Sequence, residues 1–179
     1  VTGTGGTVFE NVEAVALTDA QVAAFDKLHF GLDYGFAVDP LAFVAMHYDA
    51  ARQSLYIFDE IYQQKLTNRQ AAEKIRQKAG HGRIIADSAE PKSIAEMRGY
   101  GLRVEGAKKG PDSVDYGVRW LQNLAHIYID RHRAPNTYRE FISYEYEHNR
   151  EGQFISAYPD KDNHAIDSLR YSLSEVMRL

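Results

Sequence analysis

The chain has 179 residues, 44% of them apolar and 26% charged, with no cysteine and a formal charge of −4. That length suits one domain with its own core, and the missing cysteine excludes disulfides, thiolate metal sites and cysteine nucleophiles, leaving a reducing cytoplasmic setting as the default. No apolar tract of membrane-spanning length and no secretory pattern occurs, and the negative balance argues against coating nucleic acid by charge alone.

The chain opens at Val1 with a loose run, Thr2 to Thr7. Its Gly3, Gly5 and Gly6 lack both the strand and the Lys-Ser/Thr of a phosphate loop. Residues 1–27 are expected to be a linker or N-terminal extension, and 28–179 the folded domain. From Leu28 the pattern turns β-like: Leu28 to Phe36, Leu41 to Tyr48 and Ser54 to Tyr62, separated by short turns, predict an antiparallel meander. Thr67 and Gln70 have capping-box spacing ahead of a helix to about Lys78, which Gly80 and Gly82 close.

Arg83 to Asp87 is a short apolar run suited to a buried strand, followed by a helix over about Glu90 to Arg98 that Gly99 and Gly101 stop. A short strand at Leu102 to Glu105, a helix at Ser113 to Leu124 and an edge strand at Ile127 to Asp130 follow. Thr137 and Glu140 repeat the capping-box spacing before a helix to about Tyr146. Residues 147–162, around Gly152 and Pro159, predict a hairpin or extended loop. The last helix starts near Asp162, with an apolar stripe of Ile166, Leu169, Leu173, Val176 and Met177. Three antiparallel strands, then alternating helices and strands, predict an α/β fold: a mixed sheet with helices on both faces, the element order of the ribonuclease H-like fold.

Two acids sit where apolar strands should be buried. Asp33 lies within HFGLDYGF, and Asp87 ends RIIAD. An unpaired carboxylate is expensive to desolvate, no adjacent Arg or Lys offers a counter-charge, and neighbouring strands ~4.8 Å apart would bring both acids to one cation. In the last helix His164 and Asp167, three residues apart, share a face offset from the apolar stripe. Asp33, Asp87, Asp167 and His164 are therefore the candidate metal ligands and catalytic residues. Hard oxygen donors with one imidazole suit Mg²⁺ or Mn²⁺, with a lean toward Mn²⁺. The chemistry expected is two-metal-ion phosphodiester hydrolysis, with Asp33 bridging both ions, Asp87 on one, Asp167 on the other, and His164 completing a shell or orienting water.

The segments GLDYGFAVDPLAF, LYIFDEIYQ, IIADSAEPKSIAEMRGYG, AKKGPDSVDYGV and DNHAIDSLRYSL, in this order over about Phe30 to Tyr171, resemble the nuclease domain of the tailed-phage large terminase subunit. The resemblance implies a metal-dependent DNA endonuclease that cleaves concatemeric viral DNA during genome packaging, its catalytic acids falling on Asp33, Asp87 and Asp167 and a histidine on His164. It also implies double-stranded DNA as substrate, an upstream ATPase motor domain that this chain does not contain, the portal protein and small terminase subunit as partners, and a place at the procapsid portal in the host cytoplasm.

Lys108 and Lys109 in a Gly-bounded loop, and the cluster of Arg131, His132 and Arg133, are candidate contacts to the DNA backbone; the sites named are Lys108, Lys109, Arg131 and Arg133. Either stretch reads equally as a solvated loop. Asp59 and Glu60 close a strand and are suited either to support the metal shell or, the reading preferred, to serve as a solvated structural strand end. The competing functions are a junction-resolvase or transposase-like nuclease with the same metal chemistry, and a non-catalytic docking domain for a portal or small subunit. An actin-like ATPase, suggested by Gly31-x-Asp33-x-Gly35, requires a longer chain.

Overall fold

The computed structural model describes residues 5–178; the Gly-rich opening falls in part on residues 1–4, outside the described residues. Among the described residues, seven strands form one sheet in the order β1-β7-β4-β3-β2-β5-β6. They are β1 (Val12–Val15), β2 (Leu28–Asp33), β3 (Leu41–Asp49), β4 (Ser54–Gln63), β5 (Arg83–Ala86), β6 (Arg103–Gly106) and β7 (His126–Asp130). The helices are α1 (Asp19–Ala24), α2 (Asn68–Ala79), α3 (Pro91–Gly99), α4 (Ser113–Gln122), α5 (Pro135–Ser143) and α6 (His164–Ser172). No helix among these is long and apolar enough to cross a membrane.

Only β3 runs against the rest. It pairs antiparallel with β2 and β4, while β2-β5, β5-β6, β4-β7 and β7-β1 are parallel. The expected meander of β2, β3 and β4 is therefore present, and the carboxyl ends of the six co-directional strands open on one rim. Open parallel sheets gather functional groups at that rim because every crossover loop leaves from it.

Apolar side chains are buried on both faces of the sheet, as a sheet covered on two sides requires. On one face Leu55, Ile57, Ile127 and Ile129 pack with Val118, Leu121 and Phe141 and with Ile166 and Leu169 of α6. On the other, Phe30, Leu32, Phe43 and Ile61 pack with Ala71 and Ile75 of α2 and Ile94 and Met97 of α3. A register shift between Ala45 and Met46 lets Phe58 join the second core.

Helix α2 starts as expected: the Thr67 hydroxyl accepts the Gln70 N–H at 3.1 Å and the Gln70 side chain accepts the Thr67 N–H at 3.0 Å. Gly80, at φ 57°, ends it in the left-handed region that glycine adopts without strain.

Four expectations are corrected. The stretch expected as linker or extension contributes β1, the helix α1 and the buried Val8 and Phe9, which pack against Phe141 and Tyr144. Consequently β7 is not an edge strand, because β1 pairs with it from Val12↔Ile127 to Val15↔Asp130. Thr137 and Glu140 do not form a capping box. Their helix begins two residues earlier at Pro135, whose fixed φ suits a first turn. The partner of that turn is Glu60 of β4, which accepts the N–H groups of Asn136 and Thr137 and the Thr137 hydroxyl. Finally, α6 ends at Ser172, and the remaining stripe residues follow in turns, with Leu173 and Met177 still buried.

Residues 147–162 form a turn-rich excursion closed by a His148↔Phe154 bridge and by Glu147 N–H to Ala157 O at 2.9 Å.

Candidate active site

The strand ends place two acids side by side. β2 and β5 are paired in parallel with Leu32 opposite Ala86, so Asp33 and Asp87 come next in step on the open rim. The third acid arrives on α6, which lies across β2. A Cβ added to Gly31 would fall 1.9 Å from the Ser168 carbonyl oxygen, so only glycine lets the helix backbone approach this closely. Asp167 is thereby held over the strand that ends in Asp33.

The entry of α6 is fixed from a distance. Glu140 of α5, fully buried, accepts the N–H groups of His164, Ala165 and Ile166 at 3.2, 2.8 and 3.1 Å, and its other bond comes from the Tyr62 hydroxyl at 2.6 Å. These are the orphan donors of a helix start, and a carboxylate there also meets the positive end of the helix dipole. His164 and Asp167 are thus oriented by a carboxylate more than twenty residues upstream.

Burial drives the Asp33 carboxyl up to about 6; the His164 imidazole partly offsets this, while the charges of Asp167 and Asp87 push the same way as burial. Burial also raises Asp167, with Arg170 opposing. For Asp87, burial is outweighed by the Lys109 ammonium and the Ala89 N–H, which together hold it below the ordinary carboxylate range. His164 is raised chiefly by its contact with Asp33, against its own burial. Its Nδ1 lies 3.5 Å from Asp33 and its Nε2 3.6 Å from Asp39, so the ring bridges two carboxylates.

The four candidate ligands therefore share one rim, but each acid has a basic partner: the His164 ring beside Asp33, the Lys109 ammonium on Asp87, and the Arg170 guanidinium on Asp167 at 2.9 Å. For Asp87 this corrects the expectation that no Arg or Lys offers a counter-charge, whereas Asp33 is paired with an imidazole alone. As the side chains lie, no three Asp, Glu or His groups among the described residues converge on a single ion position. The donor set nonetheless fits a hard divalent ion. Its members are carboxylate oxygens and one imidazole, and two of the carboxyls are raised chiefly by burial, a desolvation that a bound cation would offset.

The basic candidates separate. Lys109 belongs to the acid rim, bound to Asp87 and lying over the Tyr171 ring at 5.5 Å from its centroid. Lys108 is exposed beside it. Arg133 is tied to Asp130 at 3.4 Å and Asp19 at 2.6 Å, which makes it a clasp between β7 and α1. Arg131 is exposed on the same loop. That loop leaves β7, which is separated from β2 by β4 and β3, roughly 14 Å at ordinary strand spacing. Asp59 pairs with Lys78 at 2.8 Å and Glu60 caps α5, the structural roles expected of them.

Sequence reasoning missed Arg170, Glu140 and the second role of Lys109. The i,i+3 spacing of Asp167 and Arg170 was a readable signal for the first. No local signal marks Glu140, because its partners are remote in the chain.

A sheet with one reversed strand, two adjacent parallel strands ending in acids, and a helix bringing a third is the arrangement of a ribonuclease H-like domain. The chain belongs to the terminase family within that class: residues 33–175 match the family described as Terminase RNAseH like domain. It is 45% identical over 181 residues to the large terminase subunit of Bacillus phage SPP1, covering 98% of this chain and 43% of that protein. It is 32% identical to the PBSX phage terminase large subunit of Bacillus subtilis (strain 168), over 86% of this chain and 36% of that one. The chain thus spans less than half the length of these curated relatives. Among solved structures it is similar to the nuclease domain of the SPP1 large terminase with bound Mn, at TM-score 0.88 and 44% identity, covering 94% of this chain and 98% of that one.

Proposed function

We propose that this domain is a metal-dependent endonuclease that hydrolyses phosphodiester bonds of double-stranded viral DNA during genome packaging, using Asp33, Asp87, Asp167 and His164. The observation that carries the reading is the step-for-step adjacency of Asp33 and Asp87 on paired parallel strands with Asp167 delivered over them by α6. It is supported by the 44% identity to a terminase nuclease domain solved with bound Mn.

Divalent ions, Mn²⁺ or Mg²⁺ and two in number, supply Lewis acidity and a low-pKa water when bound. The chain's own residues prepare for them. Asp33, next to both other acids, would hold the ions together with Asp87 and Asp167. Lys109 and Arg170 hold the Asp87 and Asp167 carboxylates in place and balance their charge. His164, held between Asp33 and Asp39, is suited to carry a proton or to orient the attacking water.

The reading extends to the whole protein. Relatives more than twice this length support an upstream ATPase motor that brings the duplex to the rim, with portal and small subunit as partners at the procapsid in the host cytoplasm. A net charge of −4 means that the isolated domain should bind DNA weakly and cut slowly; nanomolar duplex binding at physiological salt would contradict this.

The test is supercoiled plasmid incubated with the domain in Mn²⁺, Mg²⁺ or EDTA, beside Asp33→Ala and Asp167→Ala. Nicking or linearisation that needs metal and vanishes in both variants is expected. Absence of cleavage in every metal, with calorimetric Mn²⁺ binding equal in wild type and variants, would overturn the reading.

A further inference from the structure

Next to the acid rim, α4, α6 and the loop between β6 and α4 enclose a pocket of about 170 Å³ lined by Lys108, Lys109, Ser113, Asp167, Arg170 and Ser174. Two of its buried polar groups have no partner. Ser174 is 2% exposed and its hydroxyl makes no hydrogen bond; Arg170 is 6% exposed and its Nε makes none, although another of its nitrogens holds Asp167. A buried polar group left unpaired typically loses about 1–3 kcal/mol, so such groups call for a ligand.

The first turn of the ten-residue α4 also lines the pocket, through Ser113 and Val114. Its N-cap residue Asp112 makes no side-chain bond, so the helix start lacks the usual oxygen cap. Lys108 stands exposed at the mouth with no ion pair among the described residues. Asp167 is the one carboxylate in the lining, and Arg170 neutralises it.

Ammonium, guanidinium and hydroxyl donors around an uncapped helix start fit an anion with several oxygens. We infer that this pocket seats a backbone phosphate of the DNA strand adjacent to the bond that is cut, an inference that rests on the nuclease reading above. Phosphate contacts fix position without reading sequence. The subsite sets which bond of the strand lies over Asp33, and it leaves base identity unread.

The test compares wild type, Lys108→Ala and Ser174→Ala for binding of a labelled duplex by fluorescence anisotropy, from low to physiological salt, and for plasmid cleavage in Mn²⁺. Lys108 is exposed, so Lys108→Ala should melt like wild type, and Ser174→Ala, which nearly preserves volume and removes an unpaired buried hydroxyl, should melt no lower than wild type. Lys108→Ala should weaken binding about three- to tenfold at low salt and flatten the dependence of log K on log salt by about one. Ser174→Ala should weaken binding about two- to fivefold with the salt slope unchanged. If both variants bind and cut like a cutting wild type, the subsite is refuted and the nuclease reading stands. If the wild type neither binds duplex nor cuts plasmid, the nuclease reading fails and the subsite falls with it.

Discussion

Gly31 and Ser168 meet backbone to backbone, with 1.9 Å between the Ser168 carbonyl oxygen and the place a Gly31 Cβ would occupy. The helix carrying two candidate catalytic residues is thus seated on a strand position that tolerates no side chain. Gly31→Ala must push α6 outward, a form of overpacking that typically destabilises by about 1–3 kcal/mol. A lowered melting temperature together with loss of metal-dependent cleavage is expected. Retained cleavage at wild-type rate would show that Asp167 need not be held there.

Asp33→Asn separates stability from activity. The folded carboxyl titrates at about 6 against an ordinary 3.8. Its proton is bound more tightly in the folded state, so ionising it opposes folding. That penalty is absent below about pH 4, grows as pH rises through the interval, and is complete above about 6, on the order of 2–3 kcal/mol. In EDTA, Asp33→Asn should melt higher than wild type at pH 8, with the gap closing toward pH 4, while cleavage is lost. An equal or lower melting temperature at pH 8 would contradict it.

Asp130 works with the opposite sign. Burial opposes its ionisation, but the N–H groups of Leu17, Arg133 and His132 and the Arg133 guanidinium outweigh it and hold the carboxyl below the ordinary value. Its stabilisation is present above the unfolded pKa of about 4 and is lost as pH falls through the folded one. Asp130→Asn should cost about 1–3 kcal/mol at neutral pH. Urea titrations at pH 7 and pH 3 should give a smaller difference at the lower pH; a constant difference would assign the loss to packing alone.

Glu140→Gln replaces a carboxylate that accepts three helix N–H groups by an amide that presents donors of its own. A loss of about 1–3 kcal/mol is expected, along with displacement of His164. Chemical-shift changes confined to β4 and α5, with the His164 ring signals unmoved, would mean that Glu140 does not orient the first turn of α6.

The strands and the two rim acids were legible because their signals are local. An acid that closes an apolar run, as Asp33 and Asp87 do, stands out in a buried parallel pair. The Thr67–Gln70 box announced α2 for the same reason. β1 was hidden: four residues, with Glu13 exposed among them and no turn signal before it, although Thr18 and Gln21 form a second true capping box just after. The Thr137–Glu140 spacing misled because both residues are buried and serve remote partners, Glu60 and the start of α6. The cations on the acids were missed since Lys109 reaches Asp87 across neighbouring strand ends, a closeness that only the β5-β6 pairing creates.

The pairing of β1 with β7 bears on how the domain can be cut out of a longer chain. A version beginning at Leu28 would leave one side of β7 as a row of open peptide groups along Ile127 to Asp130, and would uncover Phe141 where Phe9 now lies. Such a flank is a template for strand exchange between copies. Preparations trimmed there should self-associate, and those that retain the residues from Gly5 onward should stay dispersed.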